Sequence, residues 1–172
     1  QVVTIAVTRD EVAKLIEKNA FIRPDKGQWS EDVEAEMFAA AIALRKAIQR
    51  RPIKHAVSFH SSITRAKAFQ ATQDVFGEAF PTYKTLDSFH VSGMMPTAVR
   101  SRTMVEFENS RRALITNARC LTEGVDVPNI DCVLFADPRR STIDIVQAVG
   151  RALRTAEGKK CGYVVIPVLV DR

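Results

Sequence analysis

No Gly-x-x-x-x-Gly-Lys-[Ser/Thr] run occurs anywhere in these 172 residues, so the chain carries no phosphate-cradling P-loop of its own. No stretch approaches the ~18 consecutive apolar residues of a membrane helix, and no N-terminal apolar segment reads as a signal peptide. No membrane contact and a cytoplasmic location are therefore expected. Cysteine is scarce: Cys120, Cys132 and Cys161 are odd in number, far apart, and form no C-x-x-C pair. That excludes a disulfide framework and a zinc site, and predicts three reduced thiols. The three histidines, His55, His60 and His90, lack metal-ligand spacing, so no metal site is expected among them.

What is present fits one globular domain with its own core: 46% hydrophobic and 26% charged residues. The net charge is +5 and the pI about 9.3, a mild basic bias compatible with phosphate-bearing partners but not specific to them. The chain begins at Gln1 and opens directly on a strand-like run, so a piece of something longer is expected.

"VVTIAV" at 2–7 is apolar and β-branched and predicts a strand, and "RDEVAKLIEK" a short helix begun by Asp10 and Glu11. An apolar strand followed by Asp-Glu has the outline of a Walker B site, but without a P-loop upstream the two acids are read as helix starters. A loop with Pro24 and Gly27 follows, and Ser30 is a plausible N-cap for a helix over about 31–50, with Val33, Met37, Ala40, Leu44 and Ile48 as its buried stripe. From Lys54 strands and helices alternate: strands at 55–60, 88–93, 112–117, 132–137 and 162–170, helices at 61–76, 97–109 and 142–154. Successive β-α units imply a mostly parallel sheet with right-handed crossovers and helices on both faces. Working groups in such sheets collect at the carboxyl ends of the strands.

Three strand ends carry candidates. "SFHSS" leaves His60, Ser61 and Ser62 at a strand-to-helix turn, where helix N–H groups and hydroxyls suit a phosphate oxygen or simply cap the helix. "HVSG" places Ser92 and Gly93 seven residues before Arg100; the glycine admits a close backbone approach and the arginine can hold a phosphate, or the pair is a turn glycine and a solvated cation. "LITNARCLTEGVDVP" ends its strand in Thr116 and Asn117, and Gly124 and Asp126 follow. Thr116 and Asn117 could bind a backbone phosphate or ribose. Gly124 with Asp126 could admit and hydrogen-bond a ribose, or serve only the turn ahead of Pro128.

The fourth element is "VQAVGRALR", 146–154. Gln147, Arg151 and Arg154 share one helical stripe, and Ala148, Val149, Ala152 and Leu153 fall opposite, toward a core. Gly150 lies beside the arginine stripe, where glycine costs about 1 kcal/mol relative to alanine. Two arginines on a rigid row can meet a polyphosphate bidentately, and the glycine keeps the approach clear.

In order and spacing, "SFHSS … HVSG … R … LITNARCLTEGVDVPNIDCVLFADP … QAVGRALR" resembles the second RecA-like domain of a superfamily 2 helicase or translocase, over about residues 54–170. The wording is similar to bacterial DEAD/DEAH-type helicases of the restriction-enzyme kind. "HAVSFHSS" resembles motif IV and "TNARCLTEGVDVP" motif V, while "QAVGRALR" matches the Q-x-x-G-R-x-x-R form of motif VI. "HVSG" with Arg100 resembles the motif between IV and V that contacts the nucleic-acid backbone.

The resemblance implies an α/β, RecA-like three-layer sandwich. It makes Arg151 and Arg154 arginine fingers toward ATP bound on a missing N-terminal P-loop domain, with Gln147 positioning the same site, and puts Gly124, Asp126 and Gly150 near the nucleotide. ATP and Mg²⁺ would be held mainly by that preceding domain. Thr116, Asn117, Ser92, Gly93, Arg100, His60 and Ser61 would grip nucleic acid, DNA rather than RNA. Residues 54–172 would be this domain and 1–53 an interdomain region. Two departures stand out: Gln147-Ala148 replaces the His-Arg that opens motif VI in DEAD-box proteins, and Thr116-Asn117 replaces a common Thr-Asp. The rival reading is a retired helicase-fold module that only binds nucleic acid or a protein; the intact Gln147, Arg151 and Arg154 speak against it.

Overall fold

The computed structural model describes residues 1–22, 31–118, 130–136 and 162–171. The elements in chain order are β1 (Val2–Thr8), α1 (Arg9–Ile22), α2 (Glu31–Arg50), β2 (His55–Phe59), α3 (Ile63–Ala79), β3 (Asp87–Ser92), α4 (Thr97–Asn109), β4 (Ala113–Ala118), β5 (Cys132–Phe135) and β6 (Tyr163–Val170). The six strands form one sheet in the order β1-β6-β5-β2-β4-β3, and every pairing is parallel. Every carboxyl end therefore lies along one edge.

Each strand is apolar on one or both faces and must be covered, which sorts the core into two clusters. On one face Leu15 of α1, Phe38, Ile42 and Leu44 of α2, and Phe69 and Phe76 of α3 pack with Leu114, Leu134 and Val165. On the other, Met104 and Phe107 of α4 pack with Val57, Phe59, Val91, Ile115 and Val133. Helices thus lie on both sheet faces, the α/β three-layer architecture expected of a RecA-like fold.

Local chemistry accounts for the element starts. Thr8 and Glu11 form a capping box at α1: the Glu11 N–H donates to Thr8 Oγ1 at 3.1 Å, and the Thr8 N–H donates to Glu11 Oε2 at 2.8 Å. The two acids start a helix, as expected. Ser62 caps α3 by accepting from the Arg65 N–H at 3.1 Å, so that helix begins at Ile63 rather than at 61, and it runs on to Ala79.

Two expectations need correction. The stripe read for α2 is too narrow: residues 38–48 are all buried, Arg45 and Lys46 included. The helix lies on the sheet and is walled in by its neighbours α1 and α3, and its six alanines at 35, 39, 40, 41, 43 and 47 allow that close approach. The strand expected over 132–137 spans only Cys132–Phe135. Within residues 1–53, β1 pairs in parallel with β6, and α1 and α2 join the same core. Ser30 and the loop with Pro24 and Gly27 lie outside the described residues. Cys132 is buried and free, its thiol pushed well up by burial and then by neighbouring Asp131; Cys120 and Cys161 are not among the described residues.

Candidate functional site

β2, β4 and β3 are adjacent, so three of the motif-bearing strand ends stand side by side. Register fixes the neighbours: Ser58 pairs with Thr116 and Phe59 with Asn117, while His90 pairs with Thr116, Val91 with Asn117 and Ser92 with Ala118. The β2–β4 ladder continues one residue beyond β2, where the His60 N–H donates to the Asn117 carbonyl at 3.0 Å.

Burial divides the expected nucleic-acid residues into two tiers. Thr116 and Asn117 are fully buried, and His60 and Ser92 nearly so at 3% exposure each. Ser61 and Arg100 are half-buried and Gly93 is exposed. Beneath the edge the polar groups bond among themselves, as burial requires. His60 Nε2 lies 2.8 Å from Ser58 Oγ, and its ring stands 5.0 Å from that of Phe69. His90 Nδ1 lies 3.0 Å from Thr116 Oγ1, whose hydroxyl also reaches the Phe89 carbonyl at 3.4 Å.

At the surface, Gly93 faces open space: nothing lies within 4 Å of where a Cβ would stand. The Met95 N–H donates to the Ser92 carbonyl at 3.2 Å, closing the turn after β3. Helix α4 then starts from Pro96 with no side-chain cap, so its first N–H groups are left for solvent or an anion. Arg100 sits on that first turn. The turns after β2 and β3 thus offer a capped helix start with Ser61, and an uncapped one with Arg100, on one sheet edge.

Sequence reasoning missed His90. It took "HVSG" for its Ser92 and Gly93, yet His90 shares their strand and meets Thr116 across the ladder. Strand alternation places His90 and Ser92 on one face, but the pairing with Thr116 needs the β3–β4 adjacency, which no local pattern states. Burial, and then the charge of Lys67, holds the His90 imidazole below its usual value, so at neutral pH the ring is uncharged. Gly124, Asp126, Gln147, Gly150, Arg151 and Arg154 all lie outside the described residues. Among the described residues, no group of three or more His, Cys, Asp or Glu could hold a metal ion. No described helix is long and apolar enough to cross a membrane.

An all-parallel sheet flanked by helices, with its polar strand ends gathered along one edge, defines a RecA-like α/β domain. Residues 39–156 match the helicase conserved C-terminal domain family, and the chain belongs to that family, as the C-terminal domain of a superfamily 2 helicase. A helicase of African swine fever virus named "Probable helicase A859L" is 32% identical over 117 residues, 64% of this chain and 14% of that protein. The solved "ATP-dependent Type ISP restriction-modification enzyme LlaBIII bound to DNA" superposes with a TM-score of 0.81 at 26% identity, covering 99% of this chain and 12% of that one. Domain 2 of the DEAD-box helicase Mss116p, bound to an RNA duplex, shares the fold at a TM-score of 0.58 and 14% identity, over 96% of this chain and 54% of that one. The chain spans 10% of the length of "Putative ATP-dependent helicase IRC3" of Saccharomyces cerevisiae and 14% of that viral relative.

Proposed function

We propose that this chain is the second motor domain of an ATP-dependent superfamily 2 helicase or translocase that grips the nucleic-acid backbone along the carboxyl edge of β2, β4 and β3. The observation that carries the reading is the convergence of three separate motifs on that edge, in a chain of this family. Exposed Gly93 with half-buried Ser61 and Arg100 form the contact tier. Buried His60, Ser92, Thr116 and Asn117 hold the strand ends beneath it. Contacts of this kind address sugar and phosphate and carry no base readout, which suits a motor that tracks along a strand. DNA is the favoured partner, supported by the likeness to a DNA-bound restriction-modification enzyme at the higher identity and TM-score.

Arg151 and Arg154 act as arginine fingers and Gln147 positions the same site, with Gly124, Asp126 and Gly150 beside the nucleotide. ATP and Mg²⁺ are held mainly by a preceding P-loop domain, and the segment 1–53 leads from it. When bound, ATP with its metal supplies the phosphoryl group whose transfer drives motion; the two guanidinium groups of this chain stabilise the charge that develops on it.

The test uses the full-length protein. Arg151→Ala and Arg154→Ala should each lower nucleic-acid-stimulated ATP hydrolysis by roughly 10³-fold or more, the scale of arginine fingers elsewhere. Unchanged hydrolysis in both would favour the retired binding module. The 172-residue chain alone should hydrolyse ATP negligibly, and appreciable turnover abolished by Arg151→Ala would overturn that division of labour.

A further inference from the structure

We propose that His90 is a positioning residue for nucleic-acid engagement, fixing the Thr116 hydroxyl across the β3–β4 pair and so holding the buried strand ends beneath the contact tier of Ser61, Gly93 and Arg100. The inference rests on the functional reading above and extends it to the first residue of "HVSG", which was given no role there.

The geometry carries it. Ser58, Thr116 and His90 occupy one level of three adjacent strands, since Ser58 pairs with Thr116 and Thr116 with His90. Two residues nearer the amino ends, the corresponding positions are Ala56, Leu114 and Ser88, and Ala56 and Leu114 belong to the apolar core. At the level of Thr116 all three strands are polar, whereas one level back only Ser88 is. Buried polar side chains cost free energy unless they are bonded, and here one bond runs across the strands, His90 Nδ1 to Thr116 Oγ1 at 3.0 Å, while His60 Nε2 bonds Ser58 Oγ along the end of β2 at 2.8 Å.

The Thr116 hydroxyl has one proton, and donating it to the Phe89 carbonyl leaves an oxygen lone pair to accept from His90 Nδ1–H. His90 Nε2 is buried and finds no hydrogen-bond partner among the described residues. Nδ1 is therefore the ring's only polar anchor there, and the anchor is Thr116. The backbone ladder sets the register of β3 on β4, and the ring tied to one hydroxyl on the neighbouring strand fixes the Thr116 side chain near the end of that ladder. A β-branched apolar residue would fill the space without fixing that hydroxyl.

The experiment measures ATP hydrolysis of the full-length protein against the concentration of a single-stranded oligodeoxynucleotide. His90→Phe keeps a ring and removes Nδ1. His90→Gln places its amide at the level of Nε2, and His90→Asn at the level of Nδ1. Phe and Gln should raise the half-saturating oligonucleotide concentration about tenfold, the scale of one lost hydrogen bond. The rate at saturation should stay within about twofold, and Asn should restore half-saturation to within about threefold of wild type.

Three equally impaired variants would show that only packing matters and overturn the proposal, as would three indifferent ones. A fall in saturating rate with unchanged half-saturation would also overturn it. If His90→Phe does not fold, the contrast between Gln and Asn decides alone. A wild-type protein whose hydrolysis ignores nucleic acid would overturn the functional reading first, and this role with it.

Discussion

The backbone N–H of His60 donates to the carbonyl oxygen of Asn117 at 3.0 Å. This bond lies one residue beyond β2 and joins the turn that enters α3 to the last residues of β4. The His60 side chain reinforces it from below, bonding Ser58 Oγ at 2.8 Å and packing on Phe69. Two of the motifs that share the sheet edge are therefore one mechanical unit.

His60→Ala should expose how much that unit depends on the ring. The substitution empties a site that is 3% exposed and takes the imidazole from Ser58. A loss of about 2–4 kcal/mol in unfolding free energy is expected from cavity and hydrogen bond together. A shift in urea midpoint at constant m-value measures it; a loss below about 0.5 kcal/mol, the range of ordinary surface changes, would place the stability of this edge elsewhere.

Arg100 gives the corresponding test of the contact tier. As a phosphate contact it should weaken binding about equally across sequences, and Arg100→Ala should reduce the slope of log K against log salt by about one. Fluorescence titration of the full-length protein with two unrelated oligonucleotides at several salt concentrations measures both quantities. A loss confined to one sequence, or an unchanged slope, would remove Arg100 from the backbone contacts.

The order of elements was legible because each strand and helix keeps its own period, and turn chemistry such as Ser62 or Thr8-x-x-Glu11 marks the starts. The strand ends at β2, β3 and β4 were legible because apolar runs stop there at polar or glycine residues. Two things were not. Full burial of α2 depends on α1 and α3, which pack against it and against each other, and the buried stretch takes in Arg45 and Lys46, which lie off the stripe read from the sequence. The bond from His90 to Thr116 joins positions 26 apart in sequence through a strand adjacency that no local pattern encodes.

Arg45 shows why those buried cations are tolerated. Its Nε donates to Gln73 Oε1 at 3.0 Å and one terminal nitrogen donates to the Lys84 carbonyl at 2.8 Å; the guanidinium also stands over the Phe76 ring, 4.7 Å from its centroid. Burial pushes the guanidinium down to about 10, which still leaves it charged at neutral pH. The planar fork serves several acceptors and stacks at once, which an ammonium cannot do. Arg45→Lys should therefore cost about 2–4 kcal/mol, more than Arg45→Met, because it keeps a buried charge with fewer partners. Urea unfolding of the two variants side by side checks the ranking, and a lysine variant as stable as wild type would refute it.

Lys46 is held differently, by an acid, and this makes the fold sensitive to pH. Its ammonium lies 2.7 Å from Glu11 Oε1, the two side chains 10% and 26% exposed, and it donates to the Ala6 carbonyl at 2.9 Å. Burial alone would raise the Glu11 carboxyl, but the Lys46 ammonium and the Thr8 N–H and hydroxyl together hold it below its ordinary 4.5. A carboxyl with a lower pKa folded than unfolded binds fewer protons in the native state. Its stabilisation is complete above 4.5 and is lost as pH falls through the lower native value. Wild type should therefore lose stability steeply in that window. Glu11→Gln should be less stable at neutral pH, since Lys46 is left buried without its counter-charge, and the gap to wild type should narrow as pH falls below 4.5 and the native carboxylate takes up its proton. Urea midpoints measured for both proteins from neutral to acid pH test this, and curves that stay parallel throughout would show that the pair contributes nothing.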